Sequence, residues 1–173
     1  MEKSPGKNHS GSESSLFRGI FLLSRSNRGE KIVKEKPMIR PIIHDPFFLS
    51  QKSEPATEAD AQIITDLLDT LRDHLDSCVG MAANMIGIRK RIIVICKGSR
   101  QMVMVNPRIT AGFGQYETEE GCLSLSGVRK AIRFRKITVE FLDQNFHRHT
   151  GSYDGYQAQI IQHEIDHCDG ILI

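Results

Sequence analysis

The sequence predicts an α+β fold, and three observations carry that prediction: an amphipathic helical stripe, a following run of strand-like segments, and a second helix bearing histidines near the C-terminus. Thr57 with Asp60 three residues on resembles a capping box. Ile63, Ile64, Leu67, Leu68, Leu71 and Leu75 then follow at helical spacing, and the helix is expected to end near Asp76. That stripe reads as core packing, not as a site. Arg91 to Lys97 is apolar and β-branched enough for a buried strand, and Gln101 to Val105 continues in kind. Lys97-Gly98-Ser99-Arg100 between them reads as a turn, which makes a hairpin. Ile137 to Leu142 is a third strand, closed by Asp143-Gln144-Asn145, and alternation in Ala131-Ile132-Arg133-Phe134-Arg135 suggests another beside it. Good helix formers return in Gly155 to Ile161, where Ala158, Ile161 and Ile165 make an apolar stripe. No internal repeat or transmembrane segment is visible.

At 173 residues, 39% apolar and 25% charged, the chain can bury one sizeable core. A net charge of +2 argues against a general nucleic-acid-binding protein. The basic excess sits at the front: Met1 to Pro37 holds eight Lys/Arg against four Glu, so the body is slightly acidic and suits a soluble enzyme. That front segment is rich in Ser, Lys and Arg. Its one apolar patch, Leu16-Phe17 with Ile20 to Leu23, is too short to span a bilayer and is interrupted by Arg18 and Gly19. An organellar presequence would share this composition, but the four glutamates count against it. A disordered N-terminal extension, a tag or a start codon placed too early are the simpler readings of 1–37, with Met38 a credible native start.

The rest of the chain is organised around Gln162-His163-Glu164-Ile165-Asp166-His167, an HExxH pattern. On a helix His163 and His167 lie four apart on one face and can grip one ion. Glu164 sits about 100° around the helix from His163, beside the ion, where a carboxylate can exchange protons with water. Taken alone, the pattern equally fits a surface helix that merely contains two histidines. Hydrolytic ions of the zinc or ferrous kind usually take three protein ligands, so a third soft ligand is needed from elsewhere. Glu120-Gly121-Cys122-Leu123-Ser124 offers it: a thiolate beside a glycine, where backbone can approach an ion, followed by an N–H that could face a substrate. Alone, Cys122 would read as a small buried hydrophobe. Gln162 and Asp166, next to the ligands, could orient them, although a solvated surface role fits Asp166 as well.

Gly80 and Gly87 permit close backbone approach, and Ala82 and Ala83 between them would keep a wall shallow enough for an extended substrate. By itself the stretch is an ordinary loop. A metal thiolate requires a reduced Cys122, and no secretion signal suggests an oxidising compartment for Cys78, Cys96, Cys122 and Cys168. Cys96 reads as core, and Cys168 should point away from the ligand it follows. Cys78 is either a space-filler or a thiol near the ion that oxidation could affect.

Three motifs in order, Gly80-Met81-Ala82-Ala83 with Gly87, then EGCLS at Glu120 to Ser124, then QHEIDH at Gln162 to His167, resemble the peptide deformylases. These enzymes remove the N-terminal formyl group from nascent chains, and the likeness covers about Met38 to Ile173. The resemblance implies small antiparallel or mixed β-sheets packed around a central C-terminal metal-binding helix, with 38–173 as the catalytic domain. It implies one divalent metal per chain, natively Fe²⁺ with Zn²⁺, Ni²⁺ or Co²⁺ as substitutes, held by Cys122, His163 and His167. Glu164 would be the general acid/base and the Leu123 N–H would contact the formyl oxygen, with Val79, Gly80 and Met85 completing the substrate wall. An ion pair between Glu120 and Arg129 would brace the cysteine loop. The partners implied are an N-formylated peptide or nascent chain and the ribosome, with no specific nucleic-acid sequence and no membrane. The compartment is the cytoplasm, or an organelle if 1–37 is a presequence.

The chain departs from the family pattern at Cys78, where a glycine is usual, at Ser126, where proline is usual, and at Met85, where the oxyanion-stabilising glutamine stands. The last departure predicts reduced turnover. An amidohydrolase for another N-acyl substrate, or a catalytically weak metal-containing protein that binds peptides, would fit the same residues.

Overall fold

The computed structural model describes residues 37–173, and the α+β expectation holds across them. The expectations for the segment before Pro37 lie outside the described residues. A short helix α1 (Pro46–Leu49) precedes a 3-10 turn (Glu58–Asp60) and helix α2 (Ala61–Asp73). Strand β1 (Gly80–Ala82), a second 3-10 turn (Ala83–Ile86) and strands β2 (Ile92–Lys97), β3 (Arg100–Gly121), β4 (Val128–Leu142) and β5 (Arg148–Asp154) follow, and helix α3 (Gly155–Asp169) closes the order. The strands form one antiparallel sheet in the order β1-β2-β3-β4-β5. Strands joined by short turns pair with their chain neighbours, so a meander results.

The capping pair forms as the pattern predicts, at the start of the 3-10 turn that leads into α2, with the Thr57 N–H and hydroxyl both donating to the Asp60 carboxylate at 2.8 and 3.1 Å. The helix ends at Asp73, short of Asp76, and Leu75 drops out of the stripe into solvent. Ile64, Leu67 and Leu71 carry the buried face.

The hairpin of β2 and β3 is where the β-branched run placed it, but β3 continues past Val105 to Gly121. Likewise Ala131 to Arg135 and Ile137 to Leu142 are a single strand, β4. Beyond Val105, β3 is held by the long β3–β4 ladder while most of its side chains are exposed, so the apolar pattern that marks a half-buried strand is absent there. Register shifts between Val105 and Arg108, and between Ile109 and Ala111, let the long strand bend. β5 is a polar edge strand that no apolar pattern announces.

Helix α3 packs on β1, β2, β4 and β5 and buries Ala158, Ile161, Ile165 and Cys168. Gln162 joins it to the sheet. β5 pairs with β4 only from Lys136 onward, and at Phe134 the Gln162 carboxamide takes over, accepting from the Phe134 N–H at 2.8 Å and donating to its carbonyl at 3.0 Å. A side chain thus supplies what a strand neighbour would have supplied. Gln162 therefore holds the helix to the sheet, and its carboxamide makes no hydrogen bond to His163 or His167.

The helix terminates at Gly170 in the left-handed region, φ 74°, where the Ile171 N–H returns to the Asp166 carbonyl at 2.9 Å. A Cβ on Gly170 would collide with the Ser50 carbonyl oxygen. Gly170→Ala is therefore expected to lower unfolding stability by about 2 kcal/mol or more, as measured by urea titration.

Candidate active site

Cys122 lies in the short connection just after β3, whereas His163 and His167 stand one turn apart on α3. Their ligand atoms all fall within 4.8 Å of one another, with Cys122 Sγ 3.2 Å from His167 Nε2. The imidazole rings meet edge to face, their centroids 5.0 Å apart. His163 commits Nδ1 to the Glu120 carboxylate at 2.9 Å, which leaves Nε2 for an ion. Burial alone would raise the Cys122 thiol, but hydrogen bonds from His163 and His167 outweigh it and bring the thiol down to about 5. Burial likewise opposes protonation of His163, and the contacts with Cys122 and Glu120 overturn that, raising it to about 10. One thiolate and two imidazoles held this close fit a divalent ion that keeps a fourth position open.

A buried arginine that the sequence reading did not single out fixes this arrangement. Arg133 on β4, 5% exposed, donates through Nε and Nη2 to the two Glu120 oxygens at 2.9 and 2.7 Å, and through Nη1 to Asp166 at 2.6 Å. The expected Glu120–Arg129 pair is not formed. Arg129 stands opposite Glu120 in the ladder, but its guanidinium donates to the Ser126 carbonyl at 3.2 Å, and Arg133 reaches along the same face of the strand to take the carboxylate. Asp166, partly exposed, is the second anchor of Arg133 and bears on His163 only through that arginine and Glu120. The signal was present as a cation amid the strand alternation around Ile132 and Phe134.

Glu164 is 3% exposed, and desolvation holds its carboxyl above the ordinary carboxylate range. Its Oε2 is buried without a hydrogen-bond partner among the described residues, an acceptor left over for a reacting group. Gly80 abuts it: a Cβ there would lie 2.6 Å from Glu164 Oε1 and 2.7 Å from the Ile160 side chain, so only glycine fits.

A cavity of about 250 Å³ opens beside these groups, lined among others by Val79, Gly80, Met85, Leu123 and Gln159. Val79, Gly80, Met85 and Leu123, expected from the sequence to meet substrate, therefore border it, whereas Ala82 and Ala83, expected to shape the same wall, do not line it. Met85 is almost wholly buried, and its thioether accepts the Ala82 N–H at 3.4 Å. Cys78 also borders the cavity, its thiol donating to the Gly80 carbonyl at 2.6 Å. Burial and then the nearby Glu164 charge push that thiol up to about 12, so it stays protonated. Cys78 acts as a hydrogen-bonded filler there. Gln159, unremarked in the sequence, stands one turn before His163 on α3, and that spacing was the available clue.

The sequence profile of the polypeptide deformylases matches residues 39–173. The chain belongs to the peptide deformylase family. It is 53% identical over 136 residues to the peptide deformylase of Clostridium beijerinckii, covering 79% of this chain and all of that protein. Among solved structures, a peptide deformylase from Legionella pneumophila superposes with a TM-score of 0.70 at 37% identity, over 78% of this chain and 83% of that one. A class I type b peptide deformylase from Acinetobacter baumannii with Met-Ala-Ser bound superposes at 0.71 with 26% identity, over 78% and 96%.

A shell that loses one of three ligands is incomplete. The unaltered chain is expected to carry one divalent ion, and Cys122→Ala, His163→Ala and His167→Ala are each expected to lose it, as elemental analysis after gel filtration reads. Full occupancy in Cys122→Ala would remove it from the ligand set.

Proposed function

We propose that this chain removes the N-terminal formyl group from formyl-methionyl peptides of nascent proteins, with Cys122, His163 and His167 as its metal ligands and Glu164 as its general acid/base. The observation that carries this reading is the convergence of one thiol and two imidazoles beside a buried, half-unpartnered carboxylate at a cavity wall. A divalent ion on that donor set, natively Fe²⁺ with Zn²⁺, Ni²⁺ or Co²⁺ as substitutes, supplies Lewis-acid polarisation of the formyl carbonyl and lowers the pKa of water.

Glu164 takes the proton from the attacking water and later delivers it to the leaving amine, releasing formate and a free N-terminus. Desolvation suits it to the task, because a carboxyl with raised proton affinity is a stronger base and can hold the proton between the two steps. The Leu123 N–H donates to the oxyanion as it develops. Met85 has no proton to donate there, so the chain offers one donor fewer than the family pattern. Val79 and Gly80 form the wall along which an extended peptide lies. The Met-Ala-Ser held by the Acinetobacter baumannii relative has the form of such a product.

The catalytic unit in this reading is 38–173, which the family match from residue 39 supports. The partner is the nascent chain at the ribosome, in the cytoplasm. No helix among the described residues is long and apolar enough to cross a membrane.

With ferrous-loaded protein, formyl-Met peptides are expected to turn over and acetyl-Met peptides to lag. Glu164→Ala should keep its ion and lose about 10² to 10⁴-fold in kcat. Unchanged turnover in that variant would take Glu164 out of the reaction.

Met85→Gln tests the missing donor. A glutamine there can accept the Ala82 N–H through its carbonyl, as the thioether does now, and present its N–H₂ to the oxyanion. Loss of one such donor commonly costs about 10² to 10³-fold, so Met85→Gln is expected to raise kcat/KM on formyl-Met peptides by at least about tenfold at constant metal content. A flat or lower value would mark Met85 as serving another N-acyl substrate.

A further inference from the structure

We propose that Gln159 reads the first side chain of the substrate by donating a hydrogen bond to its thioether sulfur, and that Tyr116 aims it; the inference rests on the deformylase reading above. Gln159 borders the catalytic cavity and is half-buried. Its Oε1 is occupied, because the Tyr116 hydroxyl donates to it at 3.1 Å across from β3. Tyr116 is itself held, with the Arg135 guanidinium stacked over its ring 4.7 Å from the centroid. With the carbonyl end tied back in this way, the Gln159 N–H₂ is the end left for a ligand, and a carboxamide nitrogen is a donor only.

The reach matches. Gln159 precedes His163 by four residues, about 6 Å along the helix axis. The formyl carbon must sit between the ligand set and Glu164. An extended formyl-methionine carries its sulfur about 6 Å from that carbon. Ile160, Leu123 and Val79, which also border the cavity, suit the methylenes of the same side chain, leaving Gln159 to meet the heteroatom at its end. A thioether is a weak acceptor, so this contact discriminates modestly; the unbranched apolar isostere, norleucine, leaves the Gln159 donor unpaired.

The test is the ratio of kcat/KM for formyl-Met-Ala-Ser over formyl-norleucine-Ala-Ser, measured on the metal-loaded chain. A hydrogen bond at the weak end of the ordinary range makes that ratio fall about twofold in Gln159→Leu. Tyr116→Phe removes one hydroxyl and keeps the ring, and should move the ratio in the same direction by a smaller factor with metal content unchanged. It also serves if Gln159→Leu folds poorly. Losses that are equal on the two peptides, leaving the ratio constant in both variants, would overturn the proposal and leave Gln159 as wall packing. Absence of turnover of either peptide by the unaltered chain would instead remove the deformylase reading, and the proposal with it.

Discussion

One buried guanidinium holds the two halves of the site in register. Cys122 and His167 are 45 residues apart, on a strand connection and on a helix, and an ion needs their donor atoms placed to within a few tenths of an ångström. Arg133 sits between, gripping Glu120 at the end of β3 with two bonds and Asp166 on α3 with a third. Glu120 passes the constraint on to His163, fixing which ring nitrogen is left for the metal. Removing ions from water is expensive, and such a pair is worthwhile only where every lone pair and proton is matched. Here the two carboxylates face one arginine, and the His163 N–H supplies the extra donor. The cluster's value lies in placement more than in stability.

That division explains what was legible in the chain. Candidate donors are marked by residue type at helical spacing, so His163, Glu164 and His167 stand out in the sequence, and the fold brings Cys122 to the two histidines. The supporting residues carry no such periodic mark. Arg133 interrupts the apolar alternation of β4, and its partners are 13 and 33 residues away, so only the folded chain brings them together. The same holds for the strands. β2 and the start of β3 are buried and β-branched, whereas the outer β3–β4 hairpin and the edge strand β5 are stabilised by ladder hydrogen bonds, which any side chain permits. Gln162 shows the limit most sharply. It adjoins the candidate ligand His163 in sequence, yet its carboxamide serves the free edge of β4 at Phe134.

The glycine-containing wall is bound into the same frame by contacts of its own. Asn84 donates to the His167 carbonyl at 2.7 Å, Cys78 to the Gly80 carbonyl, and the Met85 thioether accepts from Ala82. The turn from Ala83 to Ile86 is buried throughout, so methionine at position 85 fills its space and satisfies a backbone donor, the structural duties a glutamine would share. What it lacks is only the outward-facing donor. The departure from the family pattern thus leaves the packing of this turn intact.

Burial of Glu164 ties these parts into one chemical requirement. A carboxylate on the surface of α3 would hold its proton too weakly to carry it from water to an amine. Packing Gly80 and Ile160 against Glu164 removes solvent from it and raises its proton affinity, and that packing is possible only because position 80 has no Cβ. The closeness of β1 to α3 is therefore what desolvates Glu164, just as the Arg133 clamp on β4 and α3 is what fixes Glu120 and, through it, His163. Both depend on α3 lying across the sheet at one fixed height. The Gln162 bridge at Phe134 sets that height from the middle of the helix, and the left-handed stop at Gly170 against Ser50 sets it from the C-terminal end.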